Sequence, residues 1–409
     1  MTKKMLKKYA ELIVRTGANV QKGQEVFIDG SADQYEFITM LTEEAYKAGA
    51  SEVTVNWSYQ PITKLHYKKM TLKKLSEFPA WKEEKLKYQV ERLPARIHIL
   101  SDDPDGLNGI NFEKLAKSNK AVLPKIKPYR EAMDNKYQWT IAAVPSAKWA
   151  KKVFPSERTS AAVAKLWNAI FSTCYVDETN DAIEAWKERN AAFKTRKEFL
   201  TSMHFDYLHY TSSNGTDFKV WLMPSSKWGG GSDNTLGGVE FNPNMPTEEV
   251  FTAPKKGGAE GRIVSTKPLS YNGALIENFE FIFKDGKAVS WKAEKNGEIL
   301  DKMLSMDEGA SYLGEVALVP KDSGVNNTGI LFYETLFDEN ASCHLAFGRG
   351  YPDTVEGFEN KTKEELASEG LNDSLIHVDF MVGSDDMSID GYKDGKAFPI
   401  FRNGTWAFD

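Results

Sequence analysis

Hydrophobic periodicity changes once along this chain, near His204, and that change restricts the fold more than any single motif does. Before it, short apolar runs alternate with long helical stretches. Glu25-Val26-Phe27-Ile28-Asp29 follows Gly23 and precedes a helical stretch over about 33–48, closed by Gly49. Then come residues 53–57, a long Lys/Glu-rich helical region, a strand at 95–100, and a strand at 139–144 leading into helices through Cys174 and again over about 181–200. Strands interleaved with helices of this length imply βαβ crossovers and a parallel sheet covered on both faces. After His204, period-two patterns dominate. Residues 279–293 read as a hairpin turning at Asp285-Gly286, residues 397–408 as another turning at Asn403-Gly404, and one helix-like stretch lies near 297–305. The expected architecture is α/β followed by α+β. An N-terminal βαβ domain with a parallel sheet spans 1–203, and a C-terminal, mainly antiparallel metal-binding domain spans 204–409.

Charge follows the same division. Residues 1–200 carry 34 Lys/Arg against 25 Asp/Glu, a net of +9; residues 201–409 carry 18 against 33, a net of −15. The acidic half favours cationic ligands, whether metal ions or a protonated amine, and argues against phosphate-rich ones. The basic half has no dense Lys/Arg cluster with interleaved aromatics, so nucleic-acid binding is not expected. No run of about 18 apolar residues points to a membrane span. Met5, Leu6, Tyr9, Leu12 and Ile13 recur at helical spacing, so the start reads as a first helix and not as a secretion signal. Two cysteines far apart, Cys174 and Cys343, fit a reducing, cytoplasmic setting. There is no P-loop and no glycine fingerprint opening a helix after a strand.

Five groups able to bind metal lie in apolar or glycine-flanked segments of the acidic half. They are Glu249, Glu315 in Gly314-Glu315-Val316-Ala317-Leu318, His344 after Ala341-Ser342-Cys343, and His377 with Asp379 in His377-Val378-Asp379-Phe380. Desolvating an unpaired charge costs several kcal/mol, so ionisable groups in such runs need a compensating charge, and a pair of divalent ions supplies one. Residues two apart in a strand share a face, which sends His377 and Asp379 to one side and Val378 and Phe380 to the other. Glu315 shares its face with Ala317 in the same way. His66, His98, His204 and His209 read as satisfied core or surface residues, Cys343 as a small buried filler, and Glu248 as a solvated or hydrogen-bonding neighbour aimed away from Glu249.

These segments belong to a longer pattern. Tyr9-Ala10-Glu11-Leu12-Ile13-Val14, Gly215-Thr216-Asp217, Asn244-Met245-Pro246-Thr247-Glu248-Glu249-Val250-Phe251, Glu334 through His344, and His377-x-Asp379 occur in order along the chain. Together they resemble the metal-dependent aminopeptidases of the aminopeptidase T, AmpS and PepS type, peptidase family M29. The resemblance implies that Glu249, Glu315, His344, His377 and Asp379 hold two divalent ions (Zn, Co or Mn), that Glu339 is a further ligand or supporting carboxylate, and that Tyr351 reaches into the site. It implies a homodimer enclosing the site in a cavity, and short peptides as substrates. Phe347-Gly348-Arg349-Gly350 departs from the apolar, alanine-containing run expected before the tyrosine. For such a mechanism, Glu315 is our choice for the carboxylate bridging the ions and Tyr351 for the donor to the tetrahedral oxyanion, in an aminopeptidase of broad specificity. A two-metal phosphoesterase, or a non-catalytic metal- or peptide-binding protein, is the alternative. Against the first, Arg349 is the only basic residue near the signature.

Overall fold

The computed structural model describes residues 2–271 and 274–408. The chain forms two compact units, Met1–Glu188 with Ser232–Pro246, and Arg189–Gly231 with Thr247–Asp409. The sequence division at 203/204 therefore falls after a helix, Ala182–Met203, whose second half supplies Phe193 and Leu200 to the core of the second unit. The returning 232–246 segment is held in the first unit by backbone bonds: Ile141 N–H donates to Pro243 O (2.7 Å) and Met245 N–H to Ile141 O (2.9 Å).

In the first unit, β1 (Glu25–Ser31), β2 (Glu52–Ser58), β3 (Ala95–Leu100) and β4 (Trp139–Ala143) form a parallel sheet in the order β2-β1-β3-β4. Val26, Phe27 and Ile28 run buried in succession, as parallel strands covered on both faces require. The helix Tyr35–Ala48 ends where Gly49 takes φ +105°, a left-handed cap that lets the chain turn back into β2. Asp29 is neutralised locally: Arg96 Nη2 donates to Oδ2 and Asn56 Nδ2 to Oδ1, each at 2.7 Å.

The second unit holds a nine-stranded and a five-stranded sheet, antiparallel throughout. The hairpin expected at 279–293 forms between Ala274–Lys284 and Lys287–Lys295, with Phe279 opposite Ala293 and Lys284 opposite Lys287. Asp285 and Gly286 both have positive φ, as do Asn403 and Gly404 in the second hairpin, the backbone that two-residue turns need to match strand twist. In the five-stranded sheet, β5 (Gly229–Gly230), β6 (Val250–Thr252), β7 (Leu313–Leu318), β8 (His344–Gly348) and β9 (His377–Met381) lie in the order β9-β8-β7-β6-β5.

The two faces of this smaller sheet differ. Val316, Leu318, Leu345, Phe347, Val378 and Phe380 point into one aromatic core, with Phe281 meeting Phe347 at 4.8 Å and Phe380 at 5.1 Å between ring centres. Fully burying a side chain of this size stabilises by about 1.5–3 kcal/mol, which locks register and, with it, the alternate residues on the other face. Those alternates are Glu315, Ala317, His344, Ala346, His377 and Asp379.

Candidate metal centre

Register brings the predicted residues together. Ala317 and Met381 flank His344, Glu315 and Asp379 flank Ala346, and Gly348 stands opposite His377. Glu315 and Asp379 therefore project from the strands on either side of β8, with only a methyl group between them. Small residues at 346 and 348 leave the space into which the larger neighbours reach. Glu249 comes from the turn before β6. Its chain is close-packed against Gly230, where an added Cβ would stand 2.3 Å from Glu249 O.

The five residues form two groups of ligand atoms, each lying within 4.8 Å of one another: Glu249, Glu315 and His344, and Glu315, His377 and Asp379. Glu315 is common to both. His344 Nε2 lies 3.1 Å from Glu249 Oε2 and 3.9 Å from Glu315 Oε1. His377 Nε2 lies 3.1 Å from Glu315 Oε2 and 3.3 Å from Asp379 Oδ1. Each oxygen of Glu315 thus faces a different histidine.

Both rings are oriented from behind. His344 Nδ1 lies 3.1 Å from Ser342 O, and His377 Nδ1 lies 2.7 Å from Arg349 O. A carbonyl can only accept, so each Nδ1 carries its proton and donates it there. In the neutral ring this leaves the Nε2 lone pair aimed at carboxylate oxygens, which are acceptors too. Such an arrangement needs a cation between them, a proton or a metal ion. Imidazoles anchored through Nδ1 with Nε2 free are the form in which histidine ligates metal.

The electrostatics point the same way. Burial alone would lower both imidazole pKa values, but hydrogen-bonded carboxylates outweigh it: Glu249 brings His344 to about 9, and Asp379 with Glu315 brings His377 to about 11. Burial raises Glu315, with Glu249 and Asp379 adding to it against His377. Burial would also raise Asp379, yet its bond to His377 prevails and its pKa is lowered. Among the described residues, the ion-pair partners of Glu249, Glu315 and Asp379 are His344 and His377 alone. The donor set is three carboxylates and two imidazoles, with one carboxylate common to both groups, and it fits a pair of divalent cations.

Glu339 lies on the 3-10 turn Glu339–Ala341 and stands outside both groups. Its carboxyl is pushed well above the ordinary range by burial, and then by Glu249, Asp379, Glu315 and Glu334. It thus shares the negative field of the cluster. Tyr351 is 36% exposed, its ring packed on His377 (4.8 Å between centres) and edge-on to Phe251 (6.0 Å). Its hydroxyl is held well above pKa 10 by desolvation and by Glu315, Asp379, Glu339 and Glu249.

Cys343 is buried, with Sγ donating to Val319 O at 3.3 Å and its thiol pushed up to about 12 by burial, so it offers no thiolate. Glu248 does aim away from Glu249, but it is buried where a solvated residue was one expectation. It pairs with Arg189 (2.7 Å) and accepts from Gly324 N–H (3.1 Å). His209 sits beside Asp217 at 2.7 Å, away from the cluster. Sequence reasoning missed the groups that brace the centre: the carbonyls of Ser342 and Arg349, and Asn340, whose Oδ1 accepts from Glu248 N–H (2.6 Å) while Nδ2 donates to Leu336 O (2.8 Å). A backbone carbonyl leaves no trace in residue identity. The small residues Ala346 and Gly348 were the readable signal.

A family profile described as thermophilic metalloprotease (M29) matches residues 2–406. The chain is 44% identical over 405 residues to aminopeptidase AmpS of Bacillus subtilis (strain 168), covering 98% of each. It is 43% identical to aminopeptidase PepS of Streptococcus thermophilus, covering 99% of this chain and 98% of the relative. Wild-type AmpT from Thermus thermophilus superposes with a TM-score of 0.91 at 39% identity, covering 99% of both chains. No helix among the described residues is long and apolar enough to cross a membrane.

Proposed function

Because the chain belongs to the M29 family of thermophilic metalloproteases, we propose that it is a metal-dependent aminopeptidase, releasing single residues from the N-termini of short peptides with broad specificity. In this reading Glu249, Glu315 and His344 would hold one divalent ion, and Glu315, His377 and Asp379 a second. The observation that carries it is the division of Glu315 between two ligand groups whose remaining members are distinct.

Divalent ions held there would supply an activated water and a Lewis acid for the scissile carbonyl. The protein's own contribution is positional. Glu315 is fixed beside Ala346 by strand register, with one carboxylate oxygen toward each histidine. Ser342 O and Arg349 O keep each Nδ1 protonated and each Nε2 free. Tyr351 stays a neutral phenol at working pH, so its O–H can donate to an oxyanion forming beside His377. Glu339 is a further ligand or a carboxylate bonded to one. Buried carboxylates favour a cationic α-amine over a peptide bond deep within a chain, which suits removal from the N-terminus. Action as a homodimer in the cytoplasm belongs to the same proposal.

The deciding experiment follows hydrolysis of aminoacyl-arylamides and of para-nitrophenyl phosphate before and after exhaustive dialysis against a chelator, with metal content measured alongside. Arylamide hydrolysis should vanish with the metal and return with Zn, Co or Mn, and phosphate ester should not be turned over. Full activity in protein shown to be metal-free would end the reading.

A further inference from the structure

Gly348-Arg349-Gly350-Tyr351 carries two groups of the site: the carbonyl that fixes His377 and the tyrosine itself. Its backbone is confined from two sides. A Cβ on Gly314, the residue before Glu315, would stand 2.3 Å from Gly348 O, and one on Gly348 would stand 2.1 Å from Ile376 O. Gly348 has φ +99°, which L side chains rarely adopt. Such close approach needs something to hold the chain in place.

Asn372, 1% exposed, lies beneath this segment. Its Nδ2 donates to Gly348 O (2.7 Å), to Gly309 O (2.9 Å) and more weakly to Tyr312 O (3.4 Å). Its backbone O accepts from Gly350 N–H at 2.9 Å. Asn372 thus grips the residues on both sides of Arg349, whose own N–H donates to Ile376 O (2.8 Å). The amide cannot be turned over, because its oxygen would then meet three carbonyl oxygens. In the orientation adopted, Oδ1 is buried without a hydrogen-bond partner.

We propose that Asn372 is a positioning residue of the metal centre: by clamping Gly348 and Gly350 it aims Arg349 O at His377 Nδ1 and sets Tyr351 over the His377 ring. The inference rests on the metallopeptidase reading above. The hydrogen bonds of Asn372 reach Gly309, Tyr312, Gly348 and Gly350 and not a ligand atom, so it acts through the segment it holds.

Asn372→Asp keeps the shape but sets an acceptor against three acceptors, and Gly350→Ala disturbs the same segment independently, since its Cβ would stand 2.7 Å from Leu371 Cδ1. Both are examined as zinc-loaded protein, with near-ultraviolet circular dichroism and a cooperative melt to confirm folding. In wild type, the exchangeable Nδ1 proton of His377, identified by its absence from His377→Ala, should be visible by NMR. In a folded variant it should be lost or shifted, zinc affinity by calorimetry should fall about tenfold, as is usual when an outer partner of a ligand is removed, and kcat should fall with little change in KM. If Asn372→Asp does not fold, Gly350→Ala alone must show this pattern. Folded variants that keep the His377 signal and zinc affinity within twofold of wild type would overturn the proposal. A wild type that binds none of Zn, Co and Mn would overturn the metallopeptidase reading, and this inference with it.

Discussion

Asp29 in the parallel sheet and Asp379 in the five-stranded sheet are both carboxylates on strands with apolar neighbours, but their charge is balanced in different ways. Asp29 meets a guanidinium and an amide, Arg96 and Asn56. Glu248 is balanced likewise by Arg189. Among the described residues, the ion-pair partners of Asp379, Glu315 and Glu249 are imidazoles, which are themselves aimed by carbonyls from behind. A side-chain cation completes the first kind of site permanently. In the proposed function, the second kind is completed by a metal ion. A buried carboxylate is therefore structural or functional according to the partner the fold provides, and a Lys or Arg within reach is what separates the cases.

The strongest way to break this comparison is to remove ligands. His377→Ala or Asp379→Ala should reduce peptide hydrolysis to assay background and cut metal stoichiometry, while far-ultraviolet circular dichroism stays as in wild type. Either variant retaining full turnover and full metal content would make the β9 pair ordinary core. Dialysis against chelator comes next. Loss of ligands that bind the folded state alone lowers stability by RT ln(1 + [L]/Kd), about 2.7 kcal/mol at a hundredfold excess over Kd. The melting temperature should drop on metal removal and recover on addition, and an unchanged melt would show that the imidazolium-carboxylate cluster is self-sufficient.

Tyr351→Phe sharpens the comparison, because it keeps the ring and removes the hydroxyl. We expect kcat to fall by about 10²–10³, or roughly 2–4 kcal/mol of barrier, with KM and metal content little changed. Wild-type kcat in the Phe variant would leave Tyr351 as a rim aromatic. Cys343→Ala should cost about 1 kcal/mol of stability and leave metal content untouched, and stoichiometry measured by atomic absorption decides between filler and ligand. The smallest effect belongs to the self-balanced site. Arg96→Met should cost on the order of 1 kcal/mol, since Arg96 and Asp29 are both partly exposed, and should leave kcat unaltered. A large loss of activity there would erase the contrast between the two kinds of carboxylate.

Periodicity by itself determined the βαβ first half, the two hairpins with their Asp285-Gly286 and Asn403-Gly404 turns, and the shared face of His377 and Asp379, because these depend on residues close in sequence. Motif matching also singled out Glu249, Glu315 and His344, which the pairing of β6, β7, β8 and β9 then gathers into one cluster. What the tertiary structure alone decided are the relations between distant segments. Glu315 divides its oxygens between two histidines, Ser342 and Arg349 orient the rings through carbonyls common to every residue, and Asn372 holds the segment beneath Tyr351. The second half of the helix Ala182–Met203 joined the second unit for the same kind of reason: Phe193 and Leu200 found their apolar partners there, and local pattern does not say which core an apolar face will meet.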